Sequence, residues 1–221
     1  AMMHYHATPE DHAVLEKKGF LLVDSGATYM DGTTDITRTY PLGPLTEDEK
    51  RFYTWTLQSH IDLAKAVWLD YCECKMIDTI AREPLWRHLI NYRCGTGHSV
   101  SFVGNVHEGP HALNGRNTTR MRPGMVVTDE PGVYETDLVG IRIENELVCV
   151  HRADNQYGTF LGFEPLMFVP IATSPILPGV LDKDEIAWLN DYHRQVFAKL
   201  APHLNDEERS WLAEKCAAIG C

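Results

Sequence analysis

The chain has 221 residues, 44% of them hydrophobic and 23% charged, enough for one domain with a sizeable core or a domain with a small appendage. Its formal net charge of −11 argues against nucleic acid or an anionic membrane as the main partner, and no apolar run reaches the roughly 18 residues of a membrane span. Six cysteines, none in a C-x-x-C pair, predict reduced thiols and a cytoplasmic setting.

The opening AMMHYHATPE has neither the basic start nor the apolar centre of a secretion signal. GFLLVDSGATYMDGTTDITRTYPLG (residues 19–43) reads as two strands about a turn carrying a D-G pair. TEDEKRFYTWTLQSHIDLAKAVW (residues 46–68) predicts a helix, with Thr46 and Glu49 as a capping box and apolar residues at helical spacing from Phe52 to Val67 or Trp68. A further helical region is expected from Lys75, with Pro84 opening a second segment through Tyr92. MVVTDEPGVYETDLVGIRIENELVCV (residues 125–150) is again strand, turn, strand, and EPLMFVPI (residues 164–171) is expected to add another. After the linker ATSPILPG, two helices close the chain, over Asp184–Ala201 and from the Asn205-x-x-Glu208 signal. Hairpins and helices without regular strand–helix alternation predict an α+β fold.

His107-Glu108-Gly109-Pro110-His111 spells H-E-x-x-H, a zinc-protease signature that works only on a helix, where i and i+4 share a face. Gly109 and Pro110 disfavour that helix, so the zincin reading is rejected. His6, Glu108 and His111 are expected on the surface or in loops.

The hairpins suggest a different centre. Asp24 and Asp35 are symmetric about a point between Tyr29 and Met30; strands pairing there would set the carboxylates opposite each other, with Cβ atoms about 5 Å apart. Glu130 and Glu144 are symmetric about Asp137 in the second hairpin. Opposed carboxylates repel and are costly to desolvate, so for either pair alone an exposed hairpin face is the simple explanation. Two such pairs inside apolar strands point to a shared cluster: two divalent cations balance four carboxylates, and oxygen-rich ligation favours Mn2+ or a similar first-row ion. His98, at the start of an alternating stretch after a Gly-rich turn, supplies a nitrogen ligand.

These residues, in this order, resemble the pita-bread metallopeptidases, most closely the Xaa-Pro aminopeptidases (aminopeptidase P). The segments that carry the likeness are VDSGATYMDGTTDITRTY, GTGHSVSFVGNVHEGP, VTDEPGVY and GIRIENELV, continuing into FEPLMFVPI and the terminal helices. The resemblance implies a curved antiparallel sheet flanked by helices. It assigns two metal ions, Mn2+ with Zn2+ or Co2+ as alternatives, to Asp24, Asp35, His98, Glu130 and Glu144, with Asp35 and Glu144 bridging. It sets His107 and His4 beside the substrate, with Arg142 and Tyr134 around the site. The implied reaction cleaves a proline-containing peptide after its first residue, using a metal-bridging water activated to hydroxide, with Glu130 as proton shuttle. The alternatives are an Xaa-Pro dipeptidase (prolidase), a metal-free creatinase-type hydrolase, or a fragment that binds metal without turnover. Residues 1–173 would form the catalytic domain, truncated at its amino end, and residues 174–221 a linker and helical appendage that packs on it or forms a homodimer contact. One departure is Cys94, where many relatives carry histidine.

Overall fold

A computed structural model provides the fold and describes residues 5–220. Strands β1 (Phe20–Tyr29) and β2 (Gly32–Pro41) form the first hairpin, closed by Met30 and Asp31. Its register differs from the expected one. Tyr29 faces Gly32, which puts Asp24 opposite Thr37 and Asp35 opposite Gly26. The pivot lies one residue late because a two-residue turn sets the pairing, and Gly32 takes the positive φ of +147° that follows it. Asp24 and Asp35 are therefore diagonal neighbours, yet strand alternation keeps them on one face. Gly26 is needed there, since a Cβ would meet Thr34 O at 2.5 Å.

Helix α1 (Glu47–Ala64) starts at the predicted capping box, with both reciprocal bonds between Thr46 and Glu49 present. It ends before Val67 and Trp68, which instead enter β3 (Val67–Leu69) and pair with a later strand. Helix α2 (Cys74–Trp86) is a single helix, and the expected second segment through Tyr92 is absent. Pro84 sits in the last turn, where the lost amide costs one bond, and the chain leaves helical geometry at Leu89 with φ of 58°.

Strands β4 (Gly97–Ser99), β5 (Glu108–Leu113), β6 (Val126–Asp129), β7 (Gly132–Glu135), β8 (Val139–Arg142), β9 (Asn145–Asn155) and β10 (Gly158–Pro165) follow. Six strands make one sheet in the order β3-β10-β9-β6-β4-β5, with antiparallel ladders, while β7 and β8 pair separately. The strand expected at EPLMFVPI stops at Pro165; the residues beyond it run outside the ladders, and Pro170 could not donate to one. Helices α3 (Lys183–Leu200) and α4 (Asp206–Lys215) both open on capping boxes.

Two apolar clusters hold this arrangement. One packs Leu63, Ile77 and Ala81 of α1 and α2 against Val127, Leu147 and Phe163 of the sheet. The other joins Tyr53, Leu57 and Ile61 of α1 to Ile141, Ile143 and the α3 residues Leu189, Tyr192 and Val196. Helix α1 thus contributes to both, and the second cluster seats α3 behind the segment that runs from β8 through Glu144 into β9.

Candidate metal centre

Asp24 and Asp35 are held on β1 and β2, and Glu130 and Glu144 by the strands that flank them. The β6·β9 ladder pairs Asp129 with Asn145, and the β7·β8 ladder pairs Gly132 with Arg142. Both ladders share one register, so Glu130 and Glu144 occupy matched positions at the break between them, as the symmetry about Asp137 predicts. There the backbone bonds go elsewhere: Glu130 N–H donates to Thr96 O (2.8 Å) and Glu144 N–H to Thr37 O (3.1 Å). The hairpins are docked by Thr39, whose Oγ1 donates to Arg142 O (2.8 Å) and accepts from Arg142 N (3.2 Å).

The predicted ligands converge. Three overlapping sets each hold donor atoms within 4.8 Å of one another: Asp24, Asp35 and Glu144; His98, Glu130 and Glu144; Asp35, His98 and His107. His98 projects from β4, where Gly97 lets the strand approach β6; a Cβ on Gly97 would sit 1.8 Å from Thr128 O. The imidazole Nδ1 lies 3.2 Å from Ser99 O and Nε2 lies 3.1 Å from Glu130 Oε1. A carbonyl can only accept, so Nδ1 carries the hydrogen and Nε2 is presented to the carboxylates. The ring of His107 lies against that of His98, with centroids 3.8 Å apart.

The electrostatics are those of a negative cluster. Burial, then Asp24 and Glu130, raise the Asp35 carboxyl to about 6 against the pull of His98 and Arg142. Burial, then Glu130 and Asp35, hold Glu144 well above the usual carboxylate range. His98 is raised as well, because Glu130, Ser99 O and Asp35 together outweigh its burial. An oxygen-rich set with one outward imidazole nitrogen, whose carboxyls resist ionisation until positive charge arrives, fits divalent cations.

Arg142 is the cation already present. Its Nη2 lies 2.6 Å from Asp24 Oδ2, Nη1 donates to Tyr134 OH at 2.5 Å, and Nε donates to Thr37 Oγ1 at 3.0 Å. It stands 3.8 Å from Glu130 and 4.0 Å from Glu144; it therefore orients Asp24 without filling the space between the carboxylates. Burial, then Glu130, raise the Cys94 thiol, which keeps it protonated and a poor ligand. His4 lies outside the described residues. His111, expected on the surface, is buried on β5, while His107 precedes that strand, so the two are not presented as on the helix the motif requires.

Several supporting residues escaped the sequence reading. Thr37 Oγ1 donates to Glu144 Oε2 at 2.5 Å, and its place two residues after Asp35 on one face was the available signal. Arg38 points the other way and is buried. Its guanidinium donates to Thr37 O, Glu144 O, Val169 O and Pro170 O, to Asn145 Oδ1 at 2.8 Å and to Tyr192 OH at 2.9 Å. This fork ties the backs of both hairpins to α3. The long-range partners leave no mark in local sequence.

This antiparallel hairpin pair, with its carboxylate and imidazole cluster, defines a metallopeptidase scaffold. Residues 1–151 match metallopeptidase family M24, and residues 159–219 match the C-terminal region of peptidase M24. The chain belongs to metallopeptidase family M24, and its fold is the expected α+β pita-bread arrangement.

A probable Xaa-Pro aminopeptidase P of Coprinopsis cinerea is 40% identical over 99% of this chain and 36% of its own length. Aminopeptidase P2 of Arabidopsis thaliana is 42% identical over 96% of this chain and 31% of its own. Among solved structures, the X-prolyl aminopeptidase of Caenorhabditis elegans, a cytosolic enzyme with a di-nuclear active site, superposes with a TM-score of 0.86 at 39% identity, covering 90% of this chain and 34% of that one. The prolidase of Pyrococcus furiosus matches less closely, with a TM-score of 0.58 at 28% identity over 67% of this chain and 41% of its own. The chain spans about a third of the length of the curated relatives it matches.

Proposed function

We propose that the protein is the catalytic part of a dinuclear-metal aminopeptidase that releases the first residue of peptides with proline second. The observation that carries this reading is the overlap of the donor sets, in which Asp35, Glu144 and His98 each serve two. Asp24, Asp35, His98, Glu130 and Glu144 would hold the ions, with Asp35 and Glu144, each a member of two donor sets, available to be shared; an oxygen-rich set would favour manganese, with zinc or cobalt as alternatives. When bound, two such ions supply Lewis-acid polarisation of the scissile carbonyl and a water acidic enough to attack at neutral pH.

The chain's own residues do the rest. Glu130 accepts the proton of the attacking water and passes it to the leaving proline nitrogen. His107, beside His98, donates to the carbonyl oxygen as charge develops there. Arg142 and Tyr134 fix Asp24, next to which the substrate's free amine binds; His4 is assigned to the substrate side. Residues 1–173 act as the catalytic unit and residues 174–221 as an appendage that supports it or a homodimer contact. A cytoplasmic setting accords with the cytosolic relative; among the described residues no helix is long and apolar enough to cross a membrane.

The test pairs elemental analysis of purified protein with cleavage of Xaa-Pro-Xaa peptides and Xaa-Pro dipeptides. Two equivalents of metal with tripeptide cleavage are expected. Dipeptide-only cleavage would make it a prolidase, and metal without turnover a binding fragment.

A further inference from the structure

A second cavity, of about 760 Å3, opens on the other side of Asp35 and His98. It shares no lining residue with the cavity of the metal cluster, but neighbouring residues divide between the two: Thr34 and Asp35, His98 and Ser99, His111 and Ala112. Strand alternation on β4 and β5 accounts for that division.

Its floor is made of polar atoms with no protein partner. Glu146 is 4% exposed and His111 6% exposed, and both line the cavity; Glu146 Oε1, His111 Nδ1 and, beside them, Ser101 Oγ are buried without a hydrogen bond. Buried polar atoms are nearly always paired, and three orphans in one cavity require a common explanation. Two of the orphans can be read as acceptors, and the Ser101 hydroxyl can accept or donate. The His111 Nε2 lies 2.7 Å from Val126 O, which can only accept, so Nε2 bears the hydrogen and neutral Nδ1 offers a lone pair. The Glu146 carboxyl offers Oε1, buried without a hydrogen bond.

No lysine or arginine lines the cavity, whereas Asp31 stands with Glu146 among its walls. Val100, Met125, Leu166 and Met167 supply an apolar wall. Among the described residues, no convergent set of three metal-type donors includes Glu146 or His111, so the geometry does not suit a metal ion.

We propose that this cavity binds an organic cation, a primary ammonium or guanidinium on an aliphatic stem, with the head on Glu146 and His111 and the stem along the methionine and leucine wall. Such a group supplies the missing donors and buries its stem as a ligand in a mainly apolar pocket does. Two sources share this chemistry, a free small amine and the basic side chain of a peptide.

The experiment uses chelator-treated, metal-free protein, so its outcome is independent of the peptidase reading. Titrate n-butylammonium and n-butylguanidinium, with n-butanol as the neutral control, following the histidine ring nitrogens by NMR. The cations are expected to shift the His111 signals, and Glu146→Gln to weaken them about ten-fold or more. His111→Gln serves as a second variant if Glu146→Gln does not fold, with binding then read from the line broadening of the cation's own proton signals. Competition by a lysine-containing peptide, and not by its norleucine analogue, would assign the ligand to a peptide side chain; no competition would assign it to free amines. Equal response to butanol, undiminished binding in the folded variants, or a cavity holding ordered water only when crystals are soaked with the cations would overturn the proposal.

Discussion

The two hairpins carry matching pairs of carboxylates, yet they are built differently. In the first, β1 is exposed over most of its length and only β2 is substantially buried. In the second, β8 and the start of β9 are almost wholly buried. A buried strand cannot slip by one residue without turning its apolar set to water, so burial fixes its register. An exposed ribbon has no such constraint, and its turn decides. That is why symmetry about Asp137 located Glu130 and Glu144 correctly while the equivalent symmetry in the first hairpin missed by one residue. A metal centre built on both needs the rigid hairpin as a template for the softer one.

Mutations can break this relation at different depths. The largest effect is expected at the chemistry: Glu130→Gln should lower kcat about a thousand-fold while leaving thermal unfolding close to wild type, checked by a peptide assay beside calorimetry. Wild-type turnover in that variant would end the role given to Glu130. Next comes the link behind the hairpins. Arg38→Met strips partners from buried carbonyls and should destabilise by about 3 kcal/mol, measured by urea unfolding; metal affinity should fall with it, while Arg38→Lys keeps the charge without the fork.

A smaller effect concerns pH. Burial, then the charge of Arg38, lower His193 from 6.5 to about 4, and its Nε2 accepts from Ile171 N at 3.1 Å. A histidine depressed in the folded state contributes stability that is full above the unfolded value and is lost as pH falls through the folded one. Stability should therefore decline between pH 6.5 and about 4, and His193→Gln should flatten that slope. The least effect is expected on the outer face of β1: Val23→Thr, at a residue 41% exposed, should stay within about 0.5 kcal/mol. A large loss there would show that β1 is held by more than its turn.

What could be read from sequence was whatever repeats locally. The capping boxes at Thr46 and Asn205 followed from spacing, whereas the one at Asp182 went unread, and the five candidate ligands followed from alternation and resemblance. Pro84 misled because a proline opens a helix as readily as it is tolerated near the end of one. Arg38 was invisible for another reason: its partners Asn145 and Tyr192 lie 107 and 154 residues away. His111 was set aside as an unmatched polar residue, and only the packing of β5 revealed its burial.

The tether between Arg38 and Tyr192 carries a consequence for how the chain can be shortened. Although residues 159–219 match a family segment of their own, cutting the tail before α3 would remove the hydroxyl that steadies a guanidinium behind Glu144. A protease clipping near Gly179, far from the carboxylate cluster in sequence, would thus loosen Glu144 from behind without touching it.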